Sequence, residues 1–373
     1  MEMKVLFLTN IPVPYRIDFF NEFGKFVDLT VVFDRRNADD REDSWLKEQC
    51  INFKGYFLDS YKVGMDNGIS LRIFTWLNKR WDYIIVGTHT SYNSLLAMMY
   101  MKLRGIKYIL NCDGGIFYKN ESSVKKLLKK FFVSSAEYYL STGNHTNNWL
   151  KCYGGKKNRI YNYQLASFYS DYISEELDVI KKDKLFIKRE LSVYEQQIIL
   201  SVGRFIQEKG FDVLIEAAKF FDKKNVGIYI IGGDSPLEYW YEIIETNDIK
   251  NLHFIPFQCT KNLKKWFVIA DIFVLPTRND SWGLVVNEAM AHGLPVITTD
   301  RCNAGLELIE NYKNGFIVPV DDNNKLSEKI NLLLENEMLR KQQGLNNLKK
   351  IKNYTIEKMA ERHFEILNII QNR

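Results

Sequence analysis

Three stretches in the second half of this 373-residue chain place cations, carboxylates and glycines at the ends of apolar runs. SVGRFIQEKG, residues 201–210, carries Arg204 and Lys209 behind Gly203, and two cations on one short loop can grip a diphosphate. Gly232-Gly233-Asp234 follows the next apolar run. The third stretch, ADIFVLPTRNDSWGLVVNEAMAHGLPVI at residues 270–297, adds Asp280, Ser281 and Glu288. Glu288 falls among Val285 and Ala289, where a carboxylate needs a partner, and a pair of sugar or ribose hydroxyls suits it. Each stretch also has an ordinary reading: a charged strand-to-helix loop, or an amphipathic helix with Glu288 in water and Asp280 as a plain cap. Matching chemistry at three strand ends favours a ligand site.

The elements that position these residues follow from periodicity. Residues 272–275 form a short apolar run fit for a strand buried on both faces, and Pro276 closes it. Asp280 and Ser281 are expected as N-cap residues of a helix over 283–292, so an anion can meet the helix N-terminus at the carboxyl edge of a sheet. Further strands are expected at 198–202, 227–231, 252–256 and 316–320, with a helix at 211–221. The amino-terminal half repeats the pattern, with strands at 5–9, 29–33, 83–86, 108–110, 138–141 and 161–165, and helices at 15–26, 94–103 and 123–133. After Ser167 the chain loosens into a charged connection, which puts a boundary near 168. The expected organisation is α/β: residues 1–168 as one domain, 169–353 as a second, and 354–373 as a helix capped by Thr355 that packs back on the first domain. No solenoid-length repeat occurs.

In the first half, the loop 10–16 holds Asn10, Tyr15 and Arg16 at a carboxyl edge. His89 follows the 83–86 strand and Asp113 precedes Gly114-Gly115. Asp113 reads equally as a group aimed at a ligand or as an Asp-Gly turn, and His89 fits a structural role better than a ligand role. Asp39, Asp40 and Asp43 read as a solvated loop rather than a metal cluster. Over 123–133, Lys125, Lys126, Lys129 and Lys130 alternate with apolar residues at helical spacing. Such a helix either lies on an anionic membrane or packs its apolar side on its own domain.

Composition bounds the rest. Apolar content of 46% and charged content of 26% are those of a globular protein, and 51 basic against 46 acidic residues leave a net charge of +5, too little for a nucleic-acid coat. Five cysteines, none in a CxxC pair, argue against a disulfide framework or zinc site and fit a cytoplasmic protein. Neither a secretory leader nor a membrane-spanning run is expected.

The series VGRFIQEKGFDVLIEA, IIGGD, FIPF and ADIFVLPTRNDSWGLVVNEAMAHGLPVI resembles glycosyltransferase family 4, the retaining nucleotide-sugar transferases. The resemblance implies a GT-B fold, two doubly wound Rossmann-like domains facing each other across a cleft, with residues 1–168 binding the acceptor and 169–353 the nucleotide sugar, and transfer of a hexose or N-acetylhexosamine from a UDP-linked donor to a glycan or lipid-linked glycan. It places Arg204 and Lys209 on the donor diphosphate, Glu288 on the ribose, and Phe257 near the base. Backbone N–H groups of Trp282, Gly283 and Leu284 fall near the phosphates, with Gly203, Gly233 and Ser281 lining the same site. Asp280 stands where the family's Glu-x7-Glu motif has its first Glu. Pro12-Val13-Pro14 replaces a glycine pair common in the family, leaving Asn10 or Arg16 to remake that contact, and Asp113 replaces a common histidine. Catalytic roles therefore fall to Asp113, Arg204, Lys209 and Asp280, with acceptor contacts from Asn10, Tyr15, Arg16 and His89. No metal or other cofactor is implied. A GT-B nucleotide-sugar epimerase and a non-catalytic sugar-nucleotide-binding module remain alternatives.

Overall fold

The computed structural model describes residues 3–35, 50–58, 60–63, 67–117, 121–174, 177–220, 225–233 and 235–373. Asp39, Asp40, Asp43 and Asp234 lie outside the described residues. The chain divides into two compact units, Met1–Phe168 with Tyr354–Arg373, and Tyr169–Asn353.

The first unit begins with β1 (Lys4–Thr9), α1 (Pro14–Phe23), β2 (Asp28–Phe33) and β3 (Lys54–Phe57). A hairpin of β4 (Tyr61–Val63) and β5 (Asn67–Ile69) leads to α2 (Ile73–Leu77), β6 (Tyr83–Val86) and α3 (Tyr92–Arg104). Then come β7 (Ile109–Cys112), α4 (Ser123–Val133), β8 (Tyr138–Ser141), α5 (Asn144–Cys152) and β9 (Ile160–Asn162). Seven strands form a parallel sheet in the order β3-β2-β1-β6-β7-β8-β9. Helices cover it, so strands such as β1, with Val5, Leu6 and Phe7 fully buried, read as unbroken apolar runs.

The second unit runs α6 (Leu177–Glu190), β10 (Gln197–Val202), α7 (Phe211–Ala218), β11 (Val226–Ile231), α8 (Glu238–Thr246), β12 (Leu252–Ile255) and α9 (Thr260–Ile269). It continues with β13 (Ile272–Leu275), α10 (Leu284–Ala291), β14 (Val296–Thr299), α11 (Asn303–Leu308), β15 (Gly315–Val318), α12 (Asn323–Glu335) and α13 (Glu337–Ile351). Its parallel sheet has the order β12-β11-β10-β13-β14-β15. In both sheets the order reverses once, between β1 and β6 and between β10 and β13, and such switch points are where doubly wound sheets take ligands.

Two expectations are corrected. The first helix ends at Phe23 rather than continuing to 26: the Lys25 and Phe26 N–H groups bond only three residues back, to Glu22 O and Phe23 O, and the chain passes so close to Asn52 that a Cβ on Gly24 would lie 2.0 Å from its carbonyl oxygen. The charged stretch beyond 168 is not merely a connection: it contains α6. Lys184 bonds Asp271 at 2.6 Å and Lys188 donates to the carbonyls of Glu195 and Gln196, so these charges reach off a packed helix.

The last helix, α14 (Ile356–Gln371), belongs to the first unit and packs on α1. The Thr355 hydroxyl caps it by accepting from the Lys358 N–H, and the Ile356 N–H donates to Phe168 O. His363 is buried against Phe19 and Phe23, with its Nδ1 donating to Met359 O at 2.7 Å. Among the described residues no helix is long and apolar enough to cross a membrane.

Burial holds the imidazoles of His363 and, in the second unit, His292 neutral, with the pKa of each lowered to about 4. Their protons bind more readily in the unfolded chain, so stability falls as pH drops from about 6.5 towards 4. The slope is about 1.4 kcal/mol per pH unit for each ring. His363→Phe keeps the aromatic packing, and its urea midpoint should fall less steeply over that range than the wild type's. Parallel profiles for the two proteins refute the assignment.

Candidate functional site

In the second unit, the loops leaving β10 and β13 flank the switch point and are fastened to each other. After a single 3-10 turn at Gln207–Lys209 the chain turns at Gly210, where φ is +66° and a Cβ would lie 2.2 Å from the Pro276 carbonyl oxygen. Only glycine admits that approach. Thr277 Oγ1 and the Arg278 N–H both donate to Glu208 O. The Arg278 guanidinium binds Asp212 through two bonds of 2.9 and 2.6 Å, Asp321 at 2.7 Å and Gln207 O at 2.8 Å.

This fastening brings Lys209 to Asp280, with Nζ 2.6 Å from Oδ2 and both side chains largely buried. Asp280 Oδ1 accepts from the Trp282 N–H at 3.3 Å. The turn is then held from the other side: Asn303 Nδ2 donates to Ser281 O, and the Ala304 N–H and the buried Cys302 thiol donate to Trp282 O. The Trp282 indole N–H donates to Asn287 Oδ1. The expected caps at Asp280 and Ser281 are corrected, since the N-cap of α10 is Gly283, at φ +93°. A Cβ there would meet Cys302 Sγ at 2.8 Å, so the tight turn leaves no room for a side-chain cap. The Trp282 N–H, expected to face a ligand, is occupied by Asp280, whereas Gly283 and Leu284 open the helix, where first-turn N–H groups have no intrahelical partner.

Gly203 belongs to the same cluster, because a Cβ on Gly232 would lie 2.6 Å from its carbonyl oxygen and 2.1 Å from the Phe205 ring. Gly233 faces open space. Arg204 is exposed on the β10 loop. Glu288 is half-buried in α10, and its carbonyl accepts from His292 Nδ1. Burial, with the Glu288 charge adding to it, pushes the Tyr172 phenol above its ordinary range. Phe257, 44% exposed, follows the edge strand β12. The structure thus joins Gly203, Lys209, Gly232 and residues 280–283 through direct contacts, while Phe257 and Glu288 stand on neighbouring elements.

In the first unit, Asp113 at the end of β7 is the centre of a polar network. Its Oδ2 receives the Arg16 guanidinium, and its Oδ1 receives the Tyr163 hydroxyl and, at 2.7 Å, Asn111 Nδ2. Arg16 is 6% exposed; burial opposes its charge, but the Asp113 carboxylate carries its pKa above the ordinary value. Burial and then the Asp113 charge push the Tyr163 phenol well up. Tyr15 lies beside Arg16, its ring 5.6 Å from the guanidinium carbon. The Asn10 carbonyl accepts from the Arg35 N–H. His89 lies 4.8 Å from the Trp149 ring, with its pKa lowered to about 4 by burial and then by Lys129. Asn111, Tyr163 and His363, whose Nε2 is 3.4 Å from Asn111 Oδ1, were not legible as parts of this network. The one hint was Asn111, a polar residue inside an apolar strand.

With this geometry in view, comparison with known proteins becomes informative. Residues 183–350 match the family model described as Glycosyl transferases group 1. That match lies within the second unit. A capsular polysaccharide biosynthesis glycosyltransferase, CapM of Staphylococcus aureus, is 30% identical over 49% of this chain and 49% of its own length. A Campylobacter jejuni N,N'-diacetylbacillosaminyl-diphospho-undecaprenol alpha-1,3-N-acetylgalactosaminyltransferase is 25% identical over 79% of each chain. The chain spans about half the length of the first curated relatives it matches. The crystal structure of Anabaena HepE in complex with UDP superposes with a TM-score of 0.79 over 98% of this chain and 100% of that one, at 16% identity. The fold is GT-B, built from two Rossmann-like domains.

The Arg16–Asp113 pair yields a stability test. Asp113→Asn leaves a buried guanidinium without its counter-charge and should cost about 2 kcal/mol, whereas adding Arg16→Met to that variant should recover part of the loss. Urea denaturation of the two single variants and the double variant measures the coupling, and strictly additive losses exclude it.

Proposed function

We propose that this protein is a retaining glycosyltransferase that moves a hexose or N-acetylhexosamine from a UDP-linked donor to a hydroxyl of a glycan or lipid-linked glycan, at the cytoplasmic face of the cell membrane. The observation that carries the reading is the Lys209–Asp280 pair, fixed at the switch point of the second unit and beside the start of α10. An ammonium group has three N–H donors, and Asp280 takes one of them, leaving two for phosphate oxygens. Asp280 in turn orients the ammonium and offers its carboxylate to hydroxyls of the donor sugar. The group 1 match over this unit, the UDP in the HepE crystal structure and the lipid-linked substrate in the Campylobacter relative's name all support the reading.

In this reading Lys209, Arg204 and the α10 N-terminus stabilise the departing diphosphate. As the bond from the anomeric carbon to the diphosphate oxygen breaks, the acceptor oxygen bonds that carbon from the same face. The acceptor proton passes to the leaving phosphate oxygen, so the products are a glycoside and a nucleoside diphosphate. Glu288 holds the ribose hydroxyls, Phe257 lies by the base, and Gly203, Gly233 and Ser281 line the donor. Asp113 positions the transferred sugar, with Asn10, Tyr15, Arg16 and His89 on the acceptor side. The cations and the helix supply the positive field, so the reading asks for no metal or other cofactor.

A thermal-shift panel of UDP-, GDP- and ADP-sugars identifies the donor, since a ligand that binds only the folded form raises the midpoint. Lys209→Ala should abolish the UDP-sugar shift and lower transfer more than about tenfold, the scale of losing one charge-stabilising group, while its far-ultraviolet circular dichroism matches the wild type's and shows that it folds. Transfer measured in EDTA should match that in buffer. An unchanged donor shift in the lysine variant removes the phosphate role, and conversion of the donor alone to an epimer replaces transfer with epimerisation.

A further inference from the structure

Helix α4 is built the wrong way round for a helix that only has to pack on its own unit. Val124, Leu127, Leu128 and Phe131 form one stripe at spacings of three and four, and they are 69, 69, 53 and 43% exposed. The inward face instead holds Val133, the half-buried Phe132 and Lys129, which is tied to Glu121 and lies over the Trp149 and Tyr153 rings. Of the two readings of this helix, the one in which its apolar side covers its own domain therefore fails, and Lys129 leaves the set of outward lysines. Lys125, Lys126 and Lys130 remain exposed around the stripe.

The neighbouring helix extends this surface. Lys102 of α3 lies 3.4 Å from the centre of the Phe131 ring and donates to the Phe131 carbonyl, joining the end of α3 to α4. On that end Leu103 is 80% exposed, Met99 is 42% exposed, and Arg104 adds a further cation. Together α3 and α4 carry six basic residues and no acidic one, against a net charge of +5 for the whole chain.

The geometry points to a bilayer-docking face made by α4 and the last turn of α3, which inserts Val124, Leu127, Leu128, Phe131 and Leu103 among anionic lipids. Apolar side chains ringed by lysines match the boundary between headgroups and acyl chains. A second copy of the chain is the poorer occupant, because a two-fold contact through this face would set the same cations against each other. The inference is independent of the donor site and reads out without activity.

The test is co-sedimentation of the full chain with phosphatidylcholine vesicles prepared with and without phosphatidylglycerol. Wild-type protein should bind the anionic vesicles, and added salt should weaken that binding. A Lys125→Gln, Lys126→Gln, Lys130→Gln variant should lose on the order of a hundredfold in partitioning, from about 1 kcal/mol per cation at the surface. Leu127→Ser with Leu128→Ser should lose roughly tenfold or more. All five positions are exposed, and an unchanged thermal midpoint confirms that the variants fold. No binding by the wild type, or binding by either variant equal to it, overturns the proposal. So does a concentration-dependent dimer in sedimentation velocity, abolished by the leucine changes and unaccompanied by vesicle binding. Both variants keep the UDP-sugar thermal shift, so failure here is distinct from failure of the donor reading.

Discussion

Arg278 is the fastener on which the carboxyl edge of the second unit's sheet depends. Its planar fork reaches two carboxylates and a backbone carbonyl at once, on three separate segments: the 3-10 turn, the start of α7 and the loop after β15. A lysine, with one point charge, does not reproduce that geometry. With Gly210 packed on the Pro276 carbonyl, the guanidinium prevents two distant loops from drifting apart, and the Lys209–Asp280 contact is a consequence. Such a partly buried ion pair adds little net stability, because desolvation offsets most of the attraction. Its value is orientation.

The first unit reaches the same end by a different route. Asp113 is held by a guanidinium from the first turn of α1, an amide from its own strand and a phenol beyond β9, so both carboxylate oxygens are engaged within the protein. Beneath it, His363 brings the last helix against Tyr163, with ring centres 4.5 Å apart. A buried polar network is favourable only when its members are satisfied, and here α1, α14, the segment after β9 and strand β7 all contribute to that satisfaction.

Most strands and the second unit's loops were legible because they obey local rules, whereas β3, β4, β5 and β14 were not anticipated. A run such as Ile272 to Leu275, too short for a free helix, suits a doubly covered strand, and Arg204 and Lys209 stand on the strand-to-helix loop read for them after β10. The helices α6, α8, α9, α12 and α13 were not legible, since their charged or mixed faces mimic loops until a neighbouring helix supplies the packing. Asp280 misled for a clearer reason: it has the chemistry of a cap, but Gly283 takes that place by backbone conformation, and the carboxylate is spent on Lys209. The partners of Asp113 come from elements far apart in the chain, and no pattern within a window of sequence links them.

The return of α14 to the first unit carries a consequence for synthesis. Residues 169–353 emerge from the ribosome as an uninterrupted unit with its own sheet, whereas the face of α1 that holds Phe19 and Phe23 stays uncovered until residues 356–371 follow. The usual vectorial order, in which the domain translated first is completed first, is inverted. During translation that aromatic surface is open to holdase chaperones, and emergence of α14, rather than of residue 168, marks the moment at which its core can close.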